Sequence, residues 1–192
     1  MVATESTMLP LGTRAPDFRL PDAAGRLVAR DDFAACPALL VMFVANHCPY
    51  VRHVGEELVR LGLDYMPRGV GVVAIASNDV NQHPEDGPAG MAQIAAAMGL
   101  TVPYVYDETQ AVAKAYRAAC TPDFFLFDGS RRLVYRGRLD GARPGNDVPV
   151  TGADLRAAID AVLAGQPVPE PQLPSLGCNI KWKPGNAPSY YR

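Results

Sequence analysis

The chain has 192 residues, 48% of them hydrophobic and 20% charged, with a formal net charge of -2. That composition suits a single globular domain with one sizeable core and excludes fibrous and wholly disordered classes. The near-neutral charge offers no basic stripe for phosphates, so neither nucleic acid nor an anionic membrane surface is an expected partner.

Residues 15–20 and 26–28 read as two short strands around the Gly-containing turn 22–25, an N-terminal β-hairpin. Ala38 to Val44 (ALLVMFV) is a continuous apolar run, the pattern of a strand buried on both faces. Pro49 to Leu63 spaces Val51, Val54, Leu58 and Leu61 by three and four residues with charged residues between them, which predicts one amphipathic helix with Gly62 near its end. Gly69 to Ala76 reads as a second buried strand. Ser77 to Pro88 is polar, and residues 90–98 form a short Ala-rich helix.

In the second half, Val102 to Tyr106 reads as a strand and Thr109 to Ala118 as a helix. Asp123 to Phe127 and Arg132 to Leu139 are hairpin partners across Asp128-Gly129-Ser130. Thr151 to Leu163 is a closing helix with Thr151 near its N-cap. Six prolines interrupt residues 167–192, so no long element is expected there. Leu173, Leu176, Ile180, Trp182, Tyr190 and Tyr191 are nevertheless too many apolar groups for a disordered segment. The expected organisation is therefore a domain over residues 1–166 and an extension, 167–192, that wraps and docks on it, with Trp182 as anchor and Lys181 and Lys183 on a solvated face.

The strand-to-helix junction around Cys48 carries the chemistry. Proline favours the first position of a helix, so Pro49 places Cys48 at the N-cap, where unpaired backbone N–H groups stabilise thiolate over thiol. A thiolate is the nucleophilic form. His47 and Arg52 stand where they can add positive field, and Tyr50 where it can lend a hydroxyl. With neither an apolar leader nor a long apolar run, and with four scattered cysteines, the chain reads as a cytoplasmic protein without a disulfide scaffold. No C-x-x-C or H-x-x-x-H pair supplies chelate spacing, so no metal is expected, and thiol chemistry at Cys48 implies no bound organic cofactor. His53 and His83 read as solvated residues and Cys36 as structural.

Phe43 to Val51 aligns with the F-W-A-x-W-C-G-P-C segment of thioredoxins, with Cys48 at the attacking cysteine and Val51 at the resolving one. Residues Gly12 to Phe18 (GTRAPDF), Asp22 to Val28 and Cys48-Pro49 resemble the alkyl hydroperoxide reductase/thiol-specific antioxidant branch. Asn46 to Val51, Cys120 to Asp128, Gly141 to Asn146 and Gly177 to Asn186 resemble a peroxiredoxin-like subgroup over essentially the whole length. The resemblance implies an α/β thioredoxin fold: a central mixed β-sheet flanked by helices, the N-terminal hairpin, and the wrapped Pro-rich tail. It further implies a cis Thr121-Pro122 bond facing the site, and substrate contacts from Asn46, His47, Pro49, Tyr50, Thr121 and Pro122.

Ala45 stands where peroxiredoxins have Thr, and many relatives carry Cys there. Cys48 is then the nucleophile, and the second thiol is Cys120, Cys178, or an external donor such as thioredoxin or a low-molecular-weight thiol. The substrate is a disulfide or a hydroperoxide, small or carried on a protein. Disulfide exchange is favoured, because Ala45 lacks the hydroxyl and Pro122 the guanidinium that would polarise a peroxide. A redox sensor or binding module, with Cys48 oxidised only as a signal, is the alternative from another class. Monomer and homodimer are both open.

Overall fold

The computed structural model describes residues 3–191. Strand β1 (Ala3–Glu5) precedes a hairpin of β2 (Arg19–Pro21) and β3 (Leu27–Ala29), whose turn is held by the Asp22 carboxylate accepting from the N–H groups of Ala24 and Arg26. Strand β4 (Ala38–Phe43) leads into helices α1 (Pro49–His53) and α2 (Gly55–Tyr65). Next come β5 (Gly71–Ala76), a 3-10 turn at Pro84–Asp86, α3 (Pro88–Met98), β6 (Tyr104–Tyr106) and α4 (Ala111–Ala115). The chain continues through β7 (Cys120–Thr121), β8 (Asp123–Asp128), β9 (Leu133–Gly137), α5 (Ala153–Leu163) and β10 (Leu176–Asn179).

The central sheet has the order β6-β5-β4-β8-β9, parallel among β4, β5 and β6 and antiparallel across β4–β8 and β8–β9. It is the mixed sheet that the thioredoxin resemblance implies. Every residue of β4 and β5 is buried, as their unbroken apolar runs require. Alternate side chains enter two cores. Leu40, Met42, Val72 and Ala74 join the face covered by α2 and α5, through Leu58, Leu61, Leu155 and Ile159. Leu39, Val41, Phe43 and Ile75 join the other, where Tyr116 after α4 meets Phe43, Phe125 and Phe127 at ring separations of 5.5–5.9 Å. Edge-on aromatic pairs of this kind add about 0.5–1.5 kcal/mol each beyond burial.

Several local expectations change. The helix after Cys48 is not continuous: it breaks at Val54, which leaves the helical region with φ -101° and ψ 6°. Gly62 lies inside α2 rather than at its end, because a Cβ there would sit 2.7 Å from the Val102 side chain. Helix α4 is much shorter than residues 109–118, ending before Arg117, which takes a positive φ of 52°. At α5 the N-cap is Gly152, not Thr151, and the Asp140 carboxylate accepts from the N–H groups of both.

The Pro-rich tail contributes one regular element. Strand β10 lies between β1 and β7 in a three-stranded antiparallel sheet. Trp182 is buried in the second core, edge-on to Tyr190. The backbone at Lys181 and Lys183 is tied down, and so is the Lys181 side chain. The Lys181 N–H donates to Asn78, its carbonyl accepts from Asp79 and Gln110, its ammonium donates to Asn179, and the Lys183 N–H donates to Gln110. No helix among the described residues is long and apolar enough to cross a membrane.

Candidate active site

Strand β4 delivers the chain to Cys48, whose extended backbone (φ -73°, ψ 119°) forms the N-cap of α1 with Pro49 at the first helical position. Proline's fixed φ and missing N–H suit that position, so the local sequence sets the cysteine at the mouth of the helix. The sulfur is fully buried. Its thiol donates to the Thr121 carbonyl at 3.1 Å, immediately before the cis peptide bond to Pro122.

The sheet register brings the second thiol. Cys178 of β10 stands opposite Thr121 of β7, and cross-strand partners project to the same face. The Cys178 thiol is consequently in hydrogen-bond contact with the Cys48 sulfur. That bond is the largest influence lowering the Cys48 pKa to about 5, with the Thr121 hydroxyl and the Val51 N–H adding to it and burial opposing it. The Thr121 hydroxyl is buried with no other partner. The Thr121 carbonyl favours the protonated thiol, but these donors outweigh it. Cys178 moves the other way: as donor to Cys48 in a buried place, its pKa is raised, against smaller pulls from Lys181 and the Tyr50 N–H. The two sulfurs thus share one proton over a wide pH range and titrate as a pair.

Cys120 is placed elsewhere. It pairs with Asn179, one register step from Cys178, so its side chain leaves the sheet on the opposite face. Its sulfur approaches the carbonyls of Pro122 at 3.6 Å and Ser175 at 3.9 Å, and burial pushes its pKa well up. Of the two candidate partners, the fold brings Cys178 to Cys48 and turns Cys120 away. Cys36 is half-buried ahead of β4, and its carbonyl accepts from Arg131.

His47 and Arg52 do not reach for the sulfur. Asp86, fully buried in the 3-10 turn, accepts at Oδ1 from the Asn46 and His47 N–H groups at 2.6 and 3.2 Å. Its Oδ2 meets His47 Nδ1 at 2.5 Å and the Asn78 amide at 2.8 Å. Burial alone would raise the Asp86 pKa, but these bonds, led by the His47 side chain, hold it below the usual carboxylate value. Asn46 is occupied in turn: its amide donates to the Glu85 carbonyl and its side-chain oxygen accepts from the Tyr104 hydroxyl. Arg52 Nε donates to the Asn46 carbonyl. Asn46 and His47 thus brace the loop that carries Cys48. His83, expected in solvent, stacks on His47 with ring centroids 3.8 Å apart.

Asp86, Asn78 and His83 are the residues sequence reasoning missed. The available signal was the polar stretch 77–88 directly after a buried strand, where a carboxylate and an amide are well placed to receive a neighbouring loop. Tyr50 is half-buried against the core; with Val54, Pro122, Ser175 and Leu176 it lines a narrow crevice beside the cis-proline with about 20 Å³ of room for water. A larger cavity of 610 Å³, between the β2–β3 hairpin and α3, contains none of the cysteines.

A profile of the AhpC/TSA family matches residues 11–136. Thiol-disulfide oxidoreductase ResA of Geobacillus thermodenitrificans is 28% identical over 130 residues, 68% of this chain and 70% of its own. A Mycobacterium tuberculosis protein named as a candidate peroxiredoxin is 30% identical over 116 residues, 60% of this chain and 68% of its own. The crystal structure of an uncharacterised conserved protein from Geobacillus kaustophilus superimposes with a TM-score of 0.94 at 56% identity, covering 96% of this chain and 98% of that one.

Proposed function

The chain belongs to the AhpC/TSA family, and from that premise we propose that it is a thiol-disulfide oxidoreductase with Cys48 as nucleophile and Cys178 as resolving thiol. One observation carries the reading: the Cys178 thiol donates to a Cys48 sulfur whose pKa is lowered to about 5. At neutral pH Cys48 is a thiolate, and the group that stabilises it is the one needed for the next step.

The Cys48 thiolate attacks one sulfur of a substrate disulfide, forming a mixed disulfide and expelling the other sulfur as a thiolate that takes a proton from solvent. Conversion of the Cys48 anion to a neutral sulfur removes the acceptor that held the Cys178 proton. Cys178 then ionises more readily, attacks the Cys48 sulfur and releases the second substrate thiol. Two electrons pass from the protein dithiol to the substrate, leaving a Cys48–Cys178 disulfide. An external thiol donor, thioredoxin or a low-molecular-weight thiol, returns the pair to the dithiol. Cys120 takes no part. Both cysteines are buried, so entry of substrate requires β10 to lift or the crevice beside Tyr50 and Pro122 to open.

A disulfide is preferred to a hydroperoxide as substrate because Ala45 and Pro122 stand where a hydroxyl and a guanidinium would polarise a peroxide. Ala45 has no hydroxyl, and the nearby Arg52 is bound to the Asn46 carbonyl.

Turnover of a model disulfide with a thioredoxin-coupled reductase tests this, with hydrogen peroxide run in parallel. Cys48→Ser is expected to abolish turnover, Cys178→Ser to accumulate the Cys48 mixed disulfide by mass spectrometry, and Cys120→Ser to stay near the parent rate. Faster saturable consumption of peroxide than of disulfide would reverse the substrate assignment. Stoichiometric oxidation without turnover would make the chain a sensor.

A further inference from the structure

The stacked pair of histidines beside the Cys48 loop is a second chemical feature, separate from the thiols. One ligating atom from each of His47, His83 and Glu85 lies within 4.8 Å of the other two. The donors come from two elements, the loop after β4 and the 3-10 turn before α3, and His83 Nδ1 already lies 3.4 Å from the Glu85 carboxylate. His47 is the buried member, with 9% of its side chain exposed. Its Nε2 is enclosed and has no hydrogen-bond partner, a costly state for a ring nitrogen unless something else occupies its lone pair.

Asp86 positions the ring that carries that nitrogen. The carboxylate receives hydrogen bonds from the Asn46 and His47 N–H groups and the Asn78 amide, which hold it in one place. His47 Nδ1 lies 2.5 Å from Asp86 Oδ2, so that nitrogen is occupied and Nε2 is the one left for a ligand. A carboxylate that fixes one histidine nitrogen while the other is left bare is the arrangement that orients a metal-binding imidazole.

We propose that His47, His83 and Glu85 form a site for a divalent transition-metal ion, Zn²⁺ by the chemistry of its donors, with Asp86 as the outer carboxylate that orients His47. Two imidazoles and one carboxylate suit this ion and leave a fourth position for water. Coordination calls for His83 and Glu85 to turn their donors toward Nε2, which their side-chain exposures of 27% and 48% permit and which opens the site to solvent. The bound ion would join the 83–86 turn to the residue that precedes the nucleophile.

Cobalt(II) and zinc(II) binding to the reduced full-length protein tests the proposal. Cobalt is expected to bind one-to-one with visible d–d bands and no sulfur-to-cobalt charge-transfer band, equally in the parent and in a Cys48→Ser/Cys178→Ser variant. Both His83→Ala and Glu85→Gln should weaken binding by more than about tenfold. Zinc should raise the thermal midpoint of the parent and not that of His83→Ala, each compared with its own metal-free midpoint. Absence of saturable binding, binding that survives His83→Ala, or binding lost with the two cysteines would each overturn the assignment.

Discussion

Cys178 stands opposite Thr121 in the register of the tail strand, and the carbonyl of Thr121 is the one that receives the Cys48 thiol. A single cross-strand pairing therefore sets both the neutral-thiol acceptor and the thiolate-stabilising donor around one sulfur. A slip of β10 by one residue would turn Cys178 to the other face and leave Cys48 without its donor.

The first prediction concerns that donor. The rate of Cys48 carboxamidomethylation, followed on its own peptide by mass spectrometry, should rise with pH around a midpoint near 5 in the parent, following the lowered pKa. In Cys178→Ala the strongest influence favouring the thiolate is gone and the midpoint should move up toward the ordinary thiol range of about 8.5. An unchanged midpoint would exclude Cys178 as the source of the shift.

Gly177 lets the tail strand pass close to the Thr121 backbone of β7. A Cβ there would lie 2.0 Å from the Thr121 carbonyl oxygen, and the obstacle is backbone that cannot swing aside. Gly177→Ala should lift β10, with a loss of roughly 2 kcal/mol or more in denaturant unfolding. The same variant should show the higher alkylation midpoint of Cys178→Ala although both cysteines remain. Parental stability and reactivity would show that the strand does not sit this close.

Asp86→Ala leaves the Asn46 and His47 N–H groups, the His47 ring and the Asn78 amide without their acceptor. The expected cost is about 3 kcal/mol, from several buried donors unsatisfied at once. Hydrogen exchange should accelerate at Asn46 and His47 before it does in β4. Because the native Asp86 pKa is lowered, this carboxylate's stabilisation is present above its unfolded pKa and is lost as pH falls through the native one.

Asp123 has the opposite sign. Burial raises its pKa from 3.8 to about 7, while Oδ1 has no partner. Between those values the native state holds a proton that the unfolded chain releases, so stability declines as pH rises from about 4 to 7. Over that range the loss is on the order of a few kcal/mol. Asp123→Asn should flatten the dependence and be the more stable form at pH 8 in urea titrations. A parent with no decline across this window would contradict the assignment.

The residues that made the fold legible in sequence were those whose burial is set locally. The unbroken apolar runs of β4 and β5 announce strands covered on both faces, and Pro49 after a buried strand announces the helix start at Cys48. What stayed hidden depends on distant segments meeting. Ala3–Glu5 is a three-residue strand of mostly exposed residues whose only signal is its partner β10. The choice between Cys120 and Cys178 is a matter of register, and a one-residue difference in pairing reverses it. His83 and Asp86 look solvated in a polar run because nothing nearby in sequence says that Asn46 and His47 will dock there. Val54 fits the helical spacing, and only its backbone shows the break between α1 and α2.

The two paired thiols are about 130 residues apart in the chain. Joining them removes loop-closure entropy from the unfolded ensemble, worth about 5 kcal/mol for a loop of this size. The thermodynamic cycle makes the effect reciprocal: whatever the cross-link adds to the fold, the fold adds to the cross-link. An unstrained Cys48–Cys178 bond would therefore be harder to reduce in the folded protein than in the unfolded chain by on the order of 100 mV. Docking of β10 would in this way set the redox poise of the pair as well as its geometry.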